Sequence, residues 1–390
     1  MAEIELHGMS WDHPRGHDCM VATAAAYAAI APAVRVTWET RSLQDFADFP
    51  IEKLAETYDL VIVDHPFVGF AATSGCLLPL DDLLDAGFLA DQAANSVGFS
   101  HRSYHYGGHQ WALATDAAGH VAAYRPDLLE ELGGLPRTWD DVLRAAERRA
   151  GSARARVGIP LIPVDSLMSF CSICAGFGEP PFATPERVVS RAMGRQALGL
   201  LRALFERAHP ESPRRTPPRM LDLMGETDEL AYAPLLFGYA NYARPGFRAN
   251  LIAFTGPPIG VGEESGGGIL GGAGLAISHA CRHPAAAAAY ARFVADPATQ
   301  RTVYFTSGGQ PGHRAAWTDP VVNAASSNFF ADTLGALDRA YVRPRYLGFM
   351  AAQERAGEEI HRWLCDGGDA DALLERLDDL YRASAPAGKE

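Results

Sequence analysis

No stretch of the 390-residue chain approaches the roughly 20 consecutive apolar residues that cross a bilayer, so membrane insertion is not expected. The run Ala285–Ala289 is opened by Pro284 and fits a short helix. Basic clusters are equally scarce. The net charge is −13, and nothing in the chain could track a phosphate backbone, which argues against nucleic acid as a partner. There is no Walker A sequence, no G-x-S-x-G elbow and no dinucleotide fingerprint between a strand and a helix. The glycines of Gly262-Glu263-Glu264-Ser265-Gly266 flank an acidic pair that would repel phosphate. No cofactor is expected.

Cysteine is sparse and unpatterned. Of the six, Cys171 and Cys174 are spaced like a metal or redox pair, but Phe170 and Ile173 beside them are apolar and no second pair exists. An i, i+3 pair on the face of a buried helix accounts for them. Scattered unpaired thiols suit a reducing compartment. Met1-Ala2-Glu3 runs straight into a strand pattern, with neither a basic nor a long apolar leader segment. Localisation is therefore left between the cytoplasm and export with a leader removed. Histidine and carboxylate donors at His13, His17, Asp64 and His65 match no metal-ligand spacing, and no metal is expected there.

What is present reads as an α/β protein too long for one core. Ile4–Leu6 predicts a strand, Cys19–Ile30 an Ala-rich helix, and Val34–Thr37 a second strand. Leu60-Val61-Ile62-Val63 is a continuous, mostly β-branched run, as in a strand covered on both faces. This alternation predicts a doubly wound, mostly parallel sheet, with ligands beyond the carboxyl ends of its strands. Further on, Thr138-Trp139-Asp140-Asp141 is a helix start, and Gln196–Ala208 is amphipathic.

Gly271-Gly272-Ala273-Gly274-Leu275-Ala276-Ile277-Ser278 gathers small residues that let a backbone approach a bound molecule and present amide N–H groups. With the Ala-rich helix after it and Asp296-Pro297-Ala298-Thr299-Gln300, this segment is similar to one in the family 1 extracellular solute-binding proteins, the receptors of carbohydrate-type ABC importers. Tyr124-Arg125-Pro126-Asp127-Leu128, Thr138–Asp141, Ser307–Gly312 and Arg343-Pro344-Arg345-Tyr346 resemble further segments of that family, with Arg125 where an asparagine is usual. The resemblance covers nearly the whole chain and is weakest over 150–250. It implies a periplasmic-binding-protein-like fold of two lobes, each with a mostly parallel sheet flanked by helices and a ligand cleft between them. The expected lobes are 1–113 plus 257–308 and 114–256 plus 309–390, with a hinge near 113–116, 254–258 and 307–312.

The densest functional candidate is the loop after the first strand, which holds Trp11, Asp12, His13 and Arg15. An indole offers a flat face to a sugar ring and a guanidinium a planar fork to a carboxylate. Equally, this is a polar loop leading into a helix, with Asp18 as its cap. Arg41 follows the second strand and could join the same crevice or pair with Glu39 or Asp45. Asp64 and His65 end the buried strand, where a carboxylate can accept sugar hydroxyls or simply make an Asx turn onto Pro66. From the resemblance come Asp116 on a crossing strand, Tyr239 and Asn241 as an aromatic-polar platform, Gly272, Ala273 and Gly274 as N–H donors, and Gln310 and Arg345 at the cleft border. Core packing, hinge hydrogen bonds and a surface ion pair are the alternatives for Tyr239, Asp116 and Arg345.

The expected function is capture of a small polar solute (a sugar, sugar acid or related organic acid) by hinge closure, with delivery to an ABC permease if the protein is exported. The cations Arg15, Arg41, His13 and His65 point to an acidic group on that solute. The protein is expected to act as a monomer without catalysis. The competing reading is a cytoplasmic enzyme or ligand sensor on the same scaffold, with His13, Asp64 and His65 as acid–base candidates.

Overall fold

Leu60–Val63 forms a strand whose four side chains are all buried, and alternate residues feed two different cores. The computed structural model describes residues 3–42, 51–262 and 267–384. The chain divides into two compact units: unit 1 comprises 1–118, 271–324 and 345–347, and unit 2 the remaining 119–270, 325–344 and 348–390.

In unit 1 the sheet order is β2 (Val34–Arg41), β1 (Ile4–Trp11), β3 (Leu60–Val63), β10 (Leu270–Ile277) and the first half of β6 (Leu113–Tyr124). Strand β1 pairs in parallel with β2 and β3, while β10 runs antiparallel to β3. A small hairpin of β4 (His105–Tyr106) and β5 (His109–Gln110) lies apart from this sheet. The period-two alternation places Leu6, Leu60, Ile62, Leu275 and Ile277 against the helices Asp18–Ile30 and Pro284–Ala295. Met9, Val61, Val63 and Ala276 face the other way, with Val68, Tyr104 and Trp111. Burying each large aliphatic side chain contributes about 1.5–3 kcal/mol, so both faces are held. Tyr290 links the first layer, its hydroxyl accepting from Trp38 Nε1–H at 3.1 Å and donating to Met20 O at 3.2 Å.

Unit 2 takes the second half of β6, which pairs antiparallel with β8 (Leu230–Phe237) and β9 (Ala253–Thr255). Strand β7 (Arg156–Val157) runs parallel to β8. The helix Trp139–Arg149 starts where its sequence predicts, and it opens with a complete capping box, Thr138 and Asp141 bonding each other's backbone N–H groups. Cys171 and Cys174 are buried on the helix Pro163–Gly176. Burial pushes the Cys171 thiol up to about 12 and Cys174 upward as well, which fits the structural reading of that pair. All six cysteines are unpaired. No helix among the described residues is long and apolar enough to cross a membrane.

The passages between units fall at 118/119, 270/271 and 324/325, with unit 1 regaining 345–347. They lie later than the expected passages at 113/114, 256/257 and 308/309. The difference arises because Leu113 and Ala114 are packed in the cores of unit 1, and Pro311 bridges to Asp116 there. The segment 309–324 accordingly belongs to unit 1. The glycine-rich stretch Gly271–Ile277 forms the interior of strand β10.

Candidate functional site

Strands β1, β2 and β3 are parallel, so their carboxyl ends share one edge of unit 1. Trp11 closes β1 and is in register with Arg41, which closes β2; Asp12 N–H donates to Arg41 O at 2.8 Å. Asp64 and His65 follow β3 directly.

The loop 12–17 is held by its own hydrogen bonds. Ser10 Oγ donates to Gly16 O at 2.7 Å, Arg15 N–H donates to His13 Nδ1 at 3.0 Å, and Gly16 N–H donates to His13 O at 2.8 Å. The bond into Nδ1 makes that atom an acceptor and leaves the neutral ring's proton on Nε2. Gly16 lies flat on the Trp11 indole; a Cβ there would fall 2.3 Å from the ring, so only glycine permits the turn. Trp11 is buried, Asp12 exposed and His13 half-buried. Asp18 is the first residue of the helix and His17 the cap, so the expected capping by Asp18 becomes an acid in the first turn, favourable to the helix dipole.

Arg15 is committed within unit 1. Its Nε donates to Asp116 Oδ2 at 2.7 Å and its Nη2 to Oδ1 at 2.5 Å, with both side chains at most 5% exposed. Burial pushes the Asp116 carboxyl upward, against the pull of Arg15 and of the Ala273 N–H. The fork read as a carboxylate receptor is thus filled by an internal carboxylate, and the pair ties the first loop to β6. Asp64 Oδ1 accepts the His65 N–H at 2.8 Å, the turn that the sequence offered as an alternative, and His65 is fully buried edge-on to Tyr104.

The remaining expectations are placed as follows. Gly272, with φ +100, lies against the Asp116 carbonyl, and Gly274 against Tyr104 and Ala112, so the small residues serve strand packing. Ala273 is buried, and its N–H bonds Asp116. Gln310 Nε2 donates to Ala117 O at 2.7 Å. Arg345 Nη1 donates to the carbonyls of Arg102, Ser103 and His105, capping the end of the short helix Ser100–Ser103 where a surface ion pair was the alternative. Tyr239 and Asn241 are buried in unit 2, Tyr239 edge-on to Tyr242. Asp45 and the acidic pair Glu263-Glu264 lie outside the described residues.

Unit 2 also carries polar groups that the sequence reading passed over. Asp165, in the first turn of the helix Pro163–Gly176, is 4% exposed, and its Oδ2 has no hydrogen-bond partner. Burial lifts its carboxyl to about 7. One turn on, Ser169 Oγ is likewise buried and unbonded. Ser172 continues the stripe: its Oγ accepts Ile269 N–H at 2.9 Å and meets His120 Nδ1 at 2.8 Å. A lone carboxyl at position 165, in a helix whose other polar side chains are serines, was the available signal. Among the described residues no three His, Cys, Asp or Glu side chains gather as a metal cluster.

The strand ends of unit 1 carry a half-buried imidazole (His13), guanidinium (Arg41) and carboxyl (Asp64), groups able to hydrogen-bond a polar molecule. Residues 20–159 match the sequence model of the bacterial extracellular solute-binding proteins. No protein of curated function matches the chain by sequence. Among solved structures, the chain is similar to maltose-bound MalE3 of Thermotoga maritima, with TM-score 0.85 and 16% identity over 97% of this chain and 99% of that one. It is also similar to the cycloalternan complex of the ABC substrate-binding protein Lmo0181 of Listeria monocytogenes (TM-score 0.82, 14% identity, 98% of each chain). A third is the GacH receptor of Streptomyces glaucescens, solved without ligand and with acarbose (TM-score 0.80, 16% identity, 98% of each chain). The chain therefore carries the sequence pattern of the bacterial extracellular solute-binding proteins across residues 20–159, and their fold along nearly its whole length.

Proposed function

We propose that the protein binds a neutral, polyhydroxylated solute, a sugar oligomer or sugar alcohol, by closure of its two units, and delivers it to an ABC permease. The observation that supports this most is the gathering of the half-buried His13, Arg41 and Asp64 at the carboxyl ends of the parallel strands of unit 1. A carboxylate accepts sugar hydroxyl protons, a guanidinium donates to hydroxyl oxygens, and an imidazole can do either. The relatives crystallised with maltose, cycloalternan and acarbose support the same class of ligand.

Neutral solutes are favoured over acids for a specific reason. The acidic-ligand expectation rested on four cationic groups, and Arg15 is neutralised by Asp116. His65 is wholly buried. The acid–base reading of His13, Asp64 and His65 gains little, since Asp64 is spent in part on a backbone N–H.

Calorimetric titration tests the reading with maltose, maltotriose, ribitol and glucuronate. At least one neutral member is expected to bind and be recovered unchanged, and Asp64→Ala is expected to weaken it tenfold or more, about 1.4 kcal/mol or above. Binding of glucuronate alone, or conversion of any member, would overturn the proposal.

A further inference from the structure

His361 and Cys365 occupy successive turns of the helix Phe349–Asp366, an i, i+4 spacing that brings both to one face in unit 2. His361 Nδ1 lies 2.6 Å from the main-chain carbonyl of Leu161. A carbonyl only accepts, so Nδ1 carries the ring proton and Nε2 keeps its lone pair. That atom is 3.7 Å from Cys365 Sγ. Cys365 is the exposed cysteine; Cys19, Cys171, Cys174 and Cys281 are buried and Cys76 is half-buried.

We propose that His361 Nε2 and Cys365 Sγ chelate a thiophilic divalent cation of the zinc or cadmium type. Zinc binds sulfur at about 2.3 Å and imidazole nitrogen at about 2.0–2.1 Å, so a tetrahedral angle sets the two donors about 3.6 Å apart. The observed 3.7 Å meets that bite without rearrangement. The Leu161 carbonyl supplies the outer acceptor that orients a metal-binding imidazole and raises its basicity. On binding, the S–H bond breaks, the proton passes to solvent and the sulfur lone pair forms the metal bond. Water fills the two remaining positions. Among the charges acting on the thiol, Asp366 favours a cation, while Arg202 and Arg214 oppose it. The site is therefore one of moderate affinity.

Cobalt(II) is the direct probe, because a thiolate bound to it gives a charge-transfer band in the near ultraviolet. Reduced, metal-free protein is expected to develop the band with one equivalent and lose it when zinc is added. Cys365→Ser is expected to abolish it, and His361→Ala to weaken binding at least tenfold; Cys76→Ser is expected to change nothing. In parallel, zinc is expected to slow alkylation of Cys365, mapped by peptide mass spectrometry, at least tenfold in the wild type but not in His361→Ala. Absence of the band, its survival in Cys365→Ser, or equal binding and protection in His361→Ala would each overturn the chelate.

Discussion

A buried carboxyl without a cation beside it is costly, and Asp165 is such a group. Its carboxyl is raised to about 7, against roughly 3.9 in the unfolded chain. Between those values the folded chain keeps a proton that the unfolded chain has lost, so stability falls as pH rises through that window and levels off above it. The loss amounts to something on the order of 4 kcal/mol. Asp165→Asn removes the titration. Urea unfolding at pH 4 is expected to find the variant within about 1 kcal/mol of wild type. At pH 8 the variant is expected to be the more stable by several kcal/mol, and a pH-independent difference would refute this. Position 165 was not legible as special, because burial is a tertiary property that a single acid in this helix only hints at. The loop 11–15 was legible by chemistry but not by commitment. No local pattern tells that Arg15 reaches across 101 positions to Asp116.

At the scale of elements, signals with a local cause were the readable ones. The run Leu60–Val63 and the helix start at Thr138–Asp141 each follow from their own residues, and both stand as expected. The glycine-rich segment reads as a binding element because glycine answers any close approach alike. A bound molecule and a neighbouring strand make the same demand, and here β6 is the neighbour. A Cβ at Gly272 would meet the Asp116 carbonyl at 2.5 Å on a backbone with φ +100. Gly272→Ala is therefore expected to destabilise by about 2–4 kcal/mol through strain and overpacking. Thermal unfolding would show it as a clear drop in Tm, and an unchanged Tm would mean that β10 does not need its glycine.

On the whole-molecule scale, the two-unit organisation and α/β class were readable from length and from alternating strand and helix patterns. The passages between units were not, since β6 runs through the boundary without a break in its pattern. Ligand identity is the least legible, because a sugar-binding surface is assembled from side chains distant in sequence. The proposal that the units close on a neutral solute makes the whole chain one device, in which differential contact in the closed state supplies the driving force. Small-angle X-ray scattering, recorded with and without a saturating concentration of whichever neutral sugar binds most tightly, tests this most directly. The account expects the radius of gyration to fall on binding, and to stay unchanged when a non-binding sugar is added at the same concentration. Saturated binding with an unaltered scattering curve would contradict it.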